Sequence, residues 1–242
     1  MNKDEILKIL GTTNSPIAIG GYNSDSFDTD CQIYNLVVFD GKNLSDVITK
    51  HESKIIKTSH GNLSESNSET LLSYENLQII HDEQWELKTL ISKIQKKKNT
   101  LFSASAKNAL VESQLAISKA KNALEQEDPF VACWIKSGII LLIDSILYQN
   151  QILPNPVNAL SLMRNLKQKN TNQFTNKIIS ETGIERATES LLSRMLKSTC
   201  GFSDMVEKNQ NSIIIEKKAN YLIQNSLLSD CYLYLSYQNR NI

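Results

Sequence analysis

Histidine, cysteine and proline are scarce in this 242-residue chain, glycine is confined mostly to one end, and neither sign of charge is in excess. Each shortage excludes something. With 26 basic and 26 acidic side chains the formal net charge is zero, so no global field recruits nucleic acid or an anionic membrane. The four cysteines, Cys31, Cys133, Cys200 and Cys231, lie far apart and form no C-x-x-C pair, which argues for free thiols in a reducing compartment and against a structural zinc site. His51, His60 and His81 have no i, i+4 partner among themselves, so they suggest no metal centre. Uninterrupted apolar runs such as Ile139–Ile143 are too short to span a bilayer. The charged, amphipathic start MNKDEILKIL lacks the apolar core of a signal peptide. These features place the expected protein in the cytoplasm, with no membrane and no nucleic acid as partner. Five of the eight glycines fall in the first 61 residues, and beyond residue 82 the chain reads as helix after helix.

What is present centres on Pro16–Asp40, PIAIGGYNSDSFDTDCQIYNLVVFD. Two apolar runs, Ile17–Ile19 and Ile33–Phe39, read as strands around a polar loop that opens with Gly20-Gly21 and carries Asp25, Asp28 and Asp30. Glycines let the backbone approach a ligand closely, and successive N–H groups at such a turn make an anion-binding concavity. Carboxylates beside it are the groups that hold a divalent ion.

Ile19-Gly20-Gly21 resembles the first half of the core pattern of the nucleotidyltransferase fold, the DNA polymerase β-like superfamily. That pattern continues with a spacer of about ten residues and an Asp-x-Asp entering a strand. Three registers are open here: Asp28/Asp30 supplies both carboxylates after a short spacer, Asp30/Gln32 supplies one, and Gln32/Tyr34 has the expected spacing with none. Strand alternation extended back from Tyr34 would put all four on one face. For the family's third carboxylate, the run Leu77–Ile80 offers only Gln78. The resemblance implies nucleotide binding by Gly20, Gly21, Asp28, Asp30, Gln32 and Tyr34, with no catalytic residue and no metal or other cofactor retained. Mg²⁺ enters only if Asp28 and Asp30 form an active pair.

The order of elements predicts an α+β protein: a mixed-sheet nucleotidyltransferase-like domain over residues 1–82, then a helical bundle over 83–242. In the first part, Asp4–Leu10 reads as a short helix, Leu44–Lys50 as a helical turn or two, Lys54–Thr58 as a strand, Gly61–Thr70 as an exposed loop, and Leu71–Tyr74 and Leu77–His81 as extended pieces. In the second, Glu83–Lys98 and Thr100–Glu127 read as separate helices, with Lys96-Lys97-Lys98 as a solvated C-terminus of the first. Ala106, Leu110, Ser113, Ile117, Ala120 and Leu124, at alternating spacings of four and three and flanked by Phe102, Ala109, Ala116 and Ala123, mark a face of mostly small residues for close packing against a helix over Asp128–Gln149. Helices over Val157–Lys169, Phe174–Thr182, Ile184–Lys197 and Ser212–Tyr237 follow, the last with tyrosines that pack the bundle. The bundle resembles those joined to such domains, some of which carry an Arg and His ribonuclease motif. All three histidines lie upstream of it, so that activity is not expected.

The functional expectation is a catalytically degenerate nucleotidyltransferase-like protein that binds a nucleotide, a small ligand, or a protein partner through its bundle. The alternatives are an active Mg²⁺-dependent enzyme using Asp28 and Asp30, and a helical scaffold without a ligand.

Overall fold

A computed structural model describes residues 6–7, 10, 14–20, 31–166, 169–206 and 210–241. Its chain divides into two compact units, Met1–Leu101 and Phe102–Ile242.

Unit 1 is built on five strands: β1 (Ile17–Ile19), β2 (Ile33–Val38), β3 (Val47–His51), β4 (Lys54–His60) and β5 (Gln78–His81). They form one sheet in the order β3-β4-β2-β1-β5. Only β2 and β4 run parallel; the other neighbours are antiparallel. The apolar runs at β1 and β2 become central strands because both faces of the sheet are covered. On one face Ile17, Leu36, Val38 and Ile56 bury with Ile6, and Leu7 and Leu10 pack against them; all three of these N-terminal residues are helical. On the other, Ala18, Val37 and Phe39 bury with Tyr74, Leu77, Leu87 and Ile94.

Two segments of unit 1 differ from the sequence expectation. Val47–His51 is an edge strand, because pairing with β4 outweighs the helical pattern of Leu44–Lys50. Residues 68–73 make helix α1 (Ser68–Ser73), started by Asn67, whose side chain accepts from the N–H groups of Glu69 and Thr70. The preceding loop is tied down, with Asn62 Oδ1 accepting from Ser64 N–H and Glu65 Oε1 from Asn67 N–H.

Helix α2 (Glu86–Glu125) is one element of 40 residues, where two helices were expected. No proline or glycine interrupts it, so the basic run at 96–98 lies inside a helix, and Lys98 pairs with Glu75 at 2.6 Å. Its first turns, through Leu87, Leu90, Ile91 and Ile94, pack on the sheet, and unit 1 extends to Leu101.

In unit 2, α2 pairs with α3 (Val131–Gln149) along the small-residue face. Ala109, Ala116, Ala120 and Ala123 are buried, Ser113 Oγ donates to Gly138 C=O at 2.7 Å, and Ser145 Oγ donates to Ala106 C=O at 2.8 Å. A Cβ at Gly138 would meet Ile117 at 3.0 Å, so the absence of a side chain there sets how closely the helices approach. By length and mean hydropathy, 1.7 over its apolar window, α3 could cross a membrane. Part of it is buried in unit 2, through Ile140, Ile143, Leu147 and Tyr148, and its Asp144 receives a hydrogen bond from the Tyr237 hydroxyl at 2.7 Å and pairs with Arg240 at 3.3 Å.

The bundle continues through α4 (Ala159–Arg164), α5 (Lys169–Thr182), a 3-10 turn (Ile184–Arg186), α6 (Glu189–Val206), α7 (Ser212–Gln224) and α8 (Leu228–Asn241). The expected last helix is two, separated near Ser226, which takes a positive φ of 59°. Helix α8 packs against α3, α4, α6 and α7 and buries Cys231, Leu233, Tyr234, Leu235 and Tyr237. Its tyrosines therefore serve packing, as their spacing predicts. No strand occurs among the described residues after His81.

Candidate functional site

Where β1 ends, the chain turns at Gly20 with φ +109°, a conformation that side-chain-bearing L-residues rarely adopt. The Gly20 N–H donates to Asn35 C=O at 2.9 Å, which fixes the turn to the middle of β2. In the parallel pairing of β2 and β4, Asn35 lies opposite Lys57 and Val37 opposite Ser59. Side chains alternate along a strand, so these four share one face and Tyr34, Leu36, Ile56 and Thr58 point to the other. With Thr70, Ser73 and Tyr74 from the region of α1, and Asp46 just before β3, the polar face walls a cavity of about 370 Å³. That volume suits a small molecule.

The charges of this cavity are paired. Lys57 Nζ lies 2.7 Å from Asp46 Oδ2, each side chain 31% exposed. At the rim, His60 Nδ1 is 3.0 Å from both Asp40 oxygens. A carboxylate only accepts, so that nitrogen carries the proton. Burial pushes the Asp40 carboxyl upward, but the hydrogen bonds from His60 and from Lys42 N–H, with the nearby charges of both residues, hold it below the usual range. Burial raises the Tyr74 hydroxyl above its ordinary value, against a hydrogen bond from Asn62 N–H, and the charge of Glu65 adds to the rise. Tyr74 is therefore a neutral donor at pH 7. Among the described residues no three His, Cys, Asp or Glu side chains cluster as metal ligands.

Of the residues marked in the sequence, Gly20 is on the cavity wall. Gly21, Asp25, Asp28 and Asp30 lie outside the described residues. Gln32 precedes the strand with φ +52°, and its C=O accepts from Ile55 N–H at 2.9 Å. The alternation therefore begins at Ile33 and does not extend back through Gln32. Tyr34 is on β2, on the face away from the cavity. Gln78 is on β5, which enters the sheet beside β1, while the strand next to β2 on the other side is β4. Asn35, Asp46, Lys57, Ser59 and Tyr74 were not singled out from the sequence. The signal was there in part: Asn35 interrupts an apolar strand, and Lys57 and Ser59 alternate with Ile56 and Thr58.

A mixed sheet with a glycine turn at a strand end and a polar cleft on one face, followed in sequence by a helical unit, defines an α+β protein with a small-molecule-sized pocket in its first unit. No family model matches the chain, and no curated protein matches it. Among solved structures it is similar to a nucleotidyltransferase-like protein from Exiguobacterium sibiricum 255-15, at 10% sequence identity over 93% of this chain and 91% of that one, with a TM-score of 0.38.

Proposed function

We propose that the protein is a catalytically degenerate nucleotidyltransferase-like protein, holding a nucleotide or related small ligand in the cleft of unit 1 without transferring a nucleotidyl group. The observation that carries this reading is the make-up of the polar face of β2 and β4. Beyond the glycine turn, where transfer chemistry requires carboxylates to hold metal, this face presents Asn35 and Lys57 as direct neighbours. The described wall does not fit a pair of Mg²⁺ ions. Its one carboxylate, Asp46, is bonded to an ammonium group that repels a cation. Gly20 and Gly21 would bring the backbone close to the ligand, and Asp28 and Asp30 stay part of the proposed site. Residues Gln32 and Tyr34 leave the proposed site. A protein partner for the helical unit and a cytoplasmic location remain part of this reading.

The test is a thermal-shift scan against the four nucleoside triphosphates, with and without Mg²⁺, beside an assay for nucleotidyl transfer. The expected result is a shift that does not need Mg²⁺ and no transfer. Robust Mg²⁺-dependent transfer, lost in both Asp28→Asn and Asp30→Asn, would promote the active-enzyme reading instead.

A further inference from the structure

We propose that Lys57 is the phosphate-binding cation of the cleft, and that Asp46 is its resident counter-ion, which an incoming phosphate displaces. The inference rests on the reading of this cleft as the ligand site and names the group that recognises the ligand.

Lys57 is held by β4 at a position whose neighbours on the same face are Asn35 and Ser59, both on the cavity wall. It is the one lysine or arginine among the described residues lining the cavity, and its charge is paired with Asp46. A pair about one-third exposed is weak, because solvent screens it and holding two flexible side chains together costs entropy. A phosphate group carries more charge than a carboxylate and offers more acceptor oxygens, so it competes for the same ammonium.

The hydroxyls nearby sharpen the assignment. Ser59 Oγ donates to Leu36 C=O at 3.3 Å, and Ser73 Oγ donates to Thr70 C=O at 2.7 Å, so their protons are engaged. The Tyr74 oxygen accepts from Asn62 N–H and keeps its own proton to give. Lys57 and Tyr74 can thus both donate to an oxyanion on this wall, beside the side chains of Asn35 and His60, and Lys57 is the one that carries a fixed positive charge. Asp46 opposes the oxyanion unless it yields Lys57.

The experiment is calorimetric titration of ATP, and separately of inorganic triphosphate, into the full chain in EDTA. The proteins compared are the unsubstituted chain, Lys57→Gln, Lys57→Arg and Asp46→Asn, each first melted to confirm folding. Lys57→Gln is expected to weaken both ligands about tenfold to a hundredfold, and Lys57→Arg to restore most of that loss. Asp46→Asn is expected to tighten both about threefold to tenfold, because the competitor is gone. A merely structural pair predicts lower melting temperatures for Lys57→Gln and Asp46→Asn with unchanged affinity, and that result overturns the inference. If the unsubstituted chain binds ATP and Lys57→Gln binds it equally well, Lys57 is not the phosphate ligand, although the cleft reading stands. If the unsubstituted chain binds neither ligand, both readings fall together.

Discussion

At the residue scale, unit 1 closes its cleft rim with a charge pair whose worth depends on pH. The Asp40 carboxyl is held below its ordinary value, so the folded state takes up a proton less readily than the unfolded chain. The stabilisation is therefore complete above the unfolded carboxylate value near 3.9 and is lost as pH falls through the lower folded value. Replacing Asp40 by Asn should cost on the order of 1–3 kcal/mol near neutral pH. The same substitution should flatten the decline of stability in acid, as measured by urea denaturation at a series of pH values. An unchanged acid limb in Asp40→Asn would show that other carboxyls govern it. Unit 2 uses a charge differently. Tyr237 is buried and donates to Asp144, and burial with that carboxylate drives its hydroxyl well above the ordinary range. The tyrosine thus stays a neutral donor, and Arg240 balances the carboxylate it serves.

At the element scale, the hairpin of α2 and α3 is decided by small residues rather than large ones. Alanines and serine at 109, 113, 116, 120 and 123 let the backbones approach until Ser113 reaches the carbonyl of Gly138. Adding bulk must part the helices and break that bond. Ala116→Leu or Ala120→Leu should each cost on the order of 1–3 kcal/mol, read from thermal or urea melts. Leucine at either site without loss of stability would mean that the helices repack. The sheet is built differently, since β2 buries Leu36 and Val38 on one face and Val37 on the other, β4 adds Ile56, and a polar strip is left at Asn35, Lys57 and Ser59.

At the scale of the whole molecule, the periodicity of the sequence was a good guide where one face of an element had to be buried. The strands expected at 17–19, 33–39, 54–58 and 77–81 appear within a residue or two of those bounds, and the alanines from Ala109 to Ala123 are buried, whereas Leu110, Ile117 and Leu124, expected on the same face, are exposed because the small residues alone fill the close contact. Two kinds of information were not local. Val47–His51 looks helical in isolation and becomes a strand only because β4 offers an edge, and the partner of β2 could not be chosen between the fourth and fifth strands without the sheet order. That second gap hid the candidate site, because Lys57 matters only once it stands beside Asn35. The distribution of sulfur carries a practical consequence. Cys31 and Cys231 are buried, Cys200 is partly buried, and Cys133 is exposed on the first turn of α3. Burial, with the charges of Glu216 and Asp204, pushes the Cys200 thiol up to about 11, and burial with Asp230 pushes Cys231 up to about 12. Thiolate is the reactive form, so neither is a good nucleophile near neutral pH. A maleimide dye should therefore attach quickly to a single thiol, identified by peptide mass mapping as Cys133, with the other three modified only after denaturation. Rapid labelling of Cys31 or Cys231 in the native protein would contradict that burial. The helical unit thus comes with its own site for a fluorescent reporter, and a bound protein partner could be followed by anisotropy without altering a single residue.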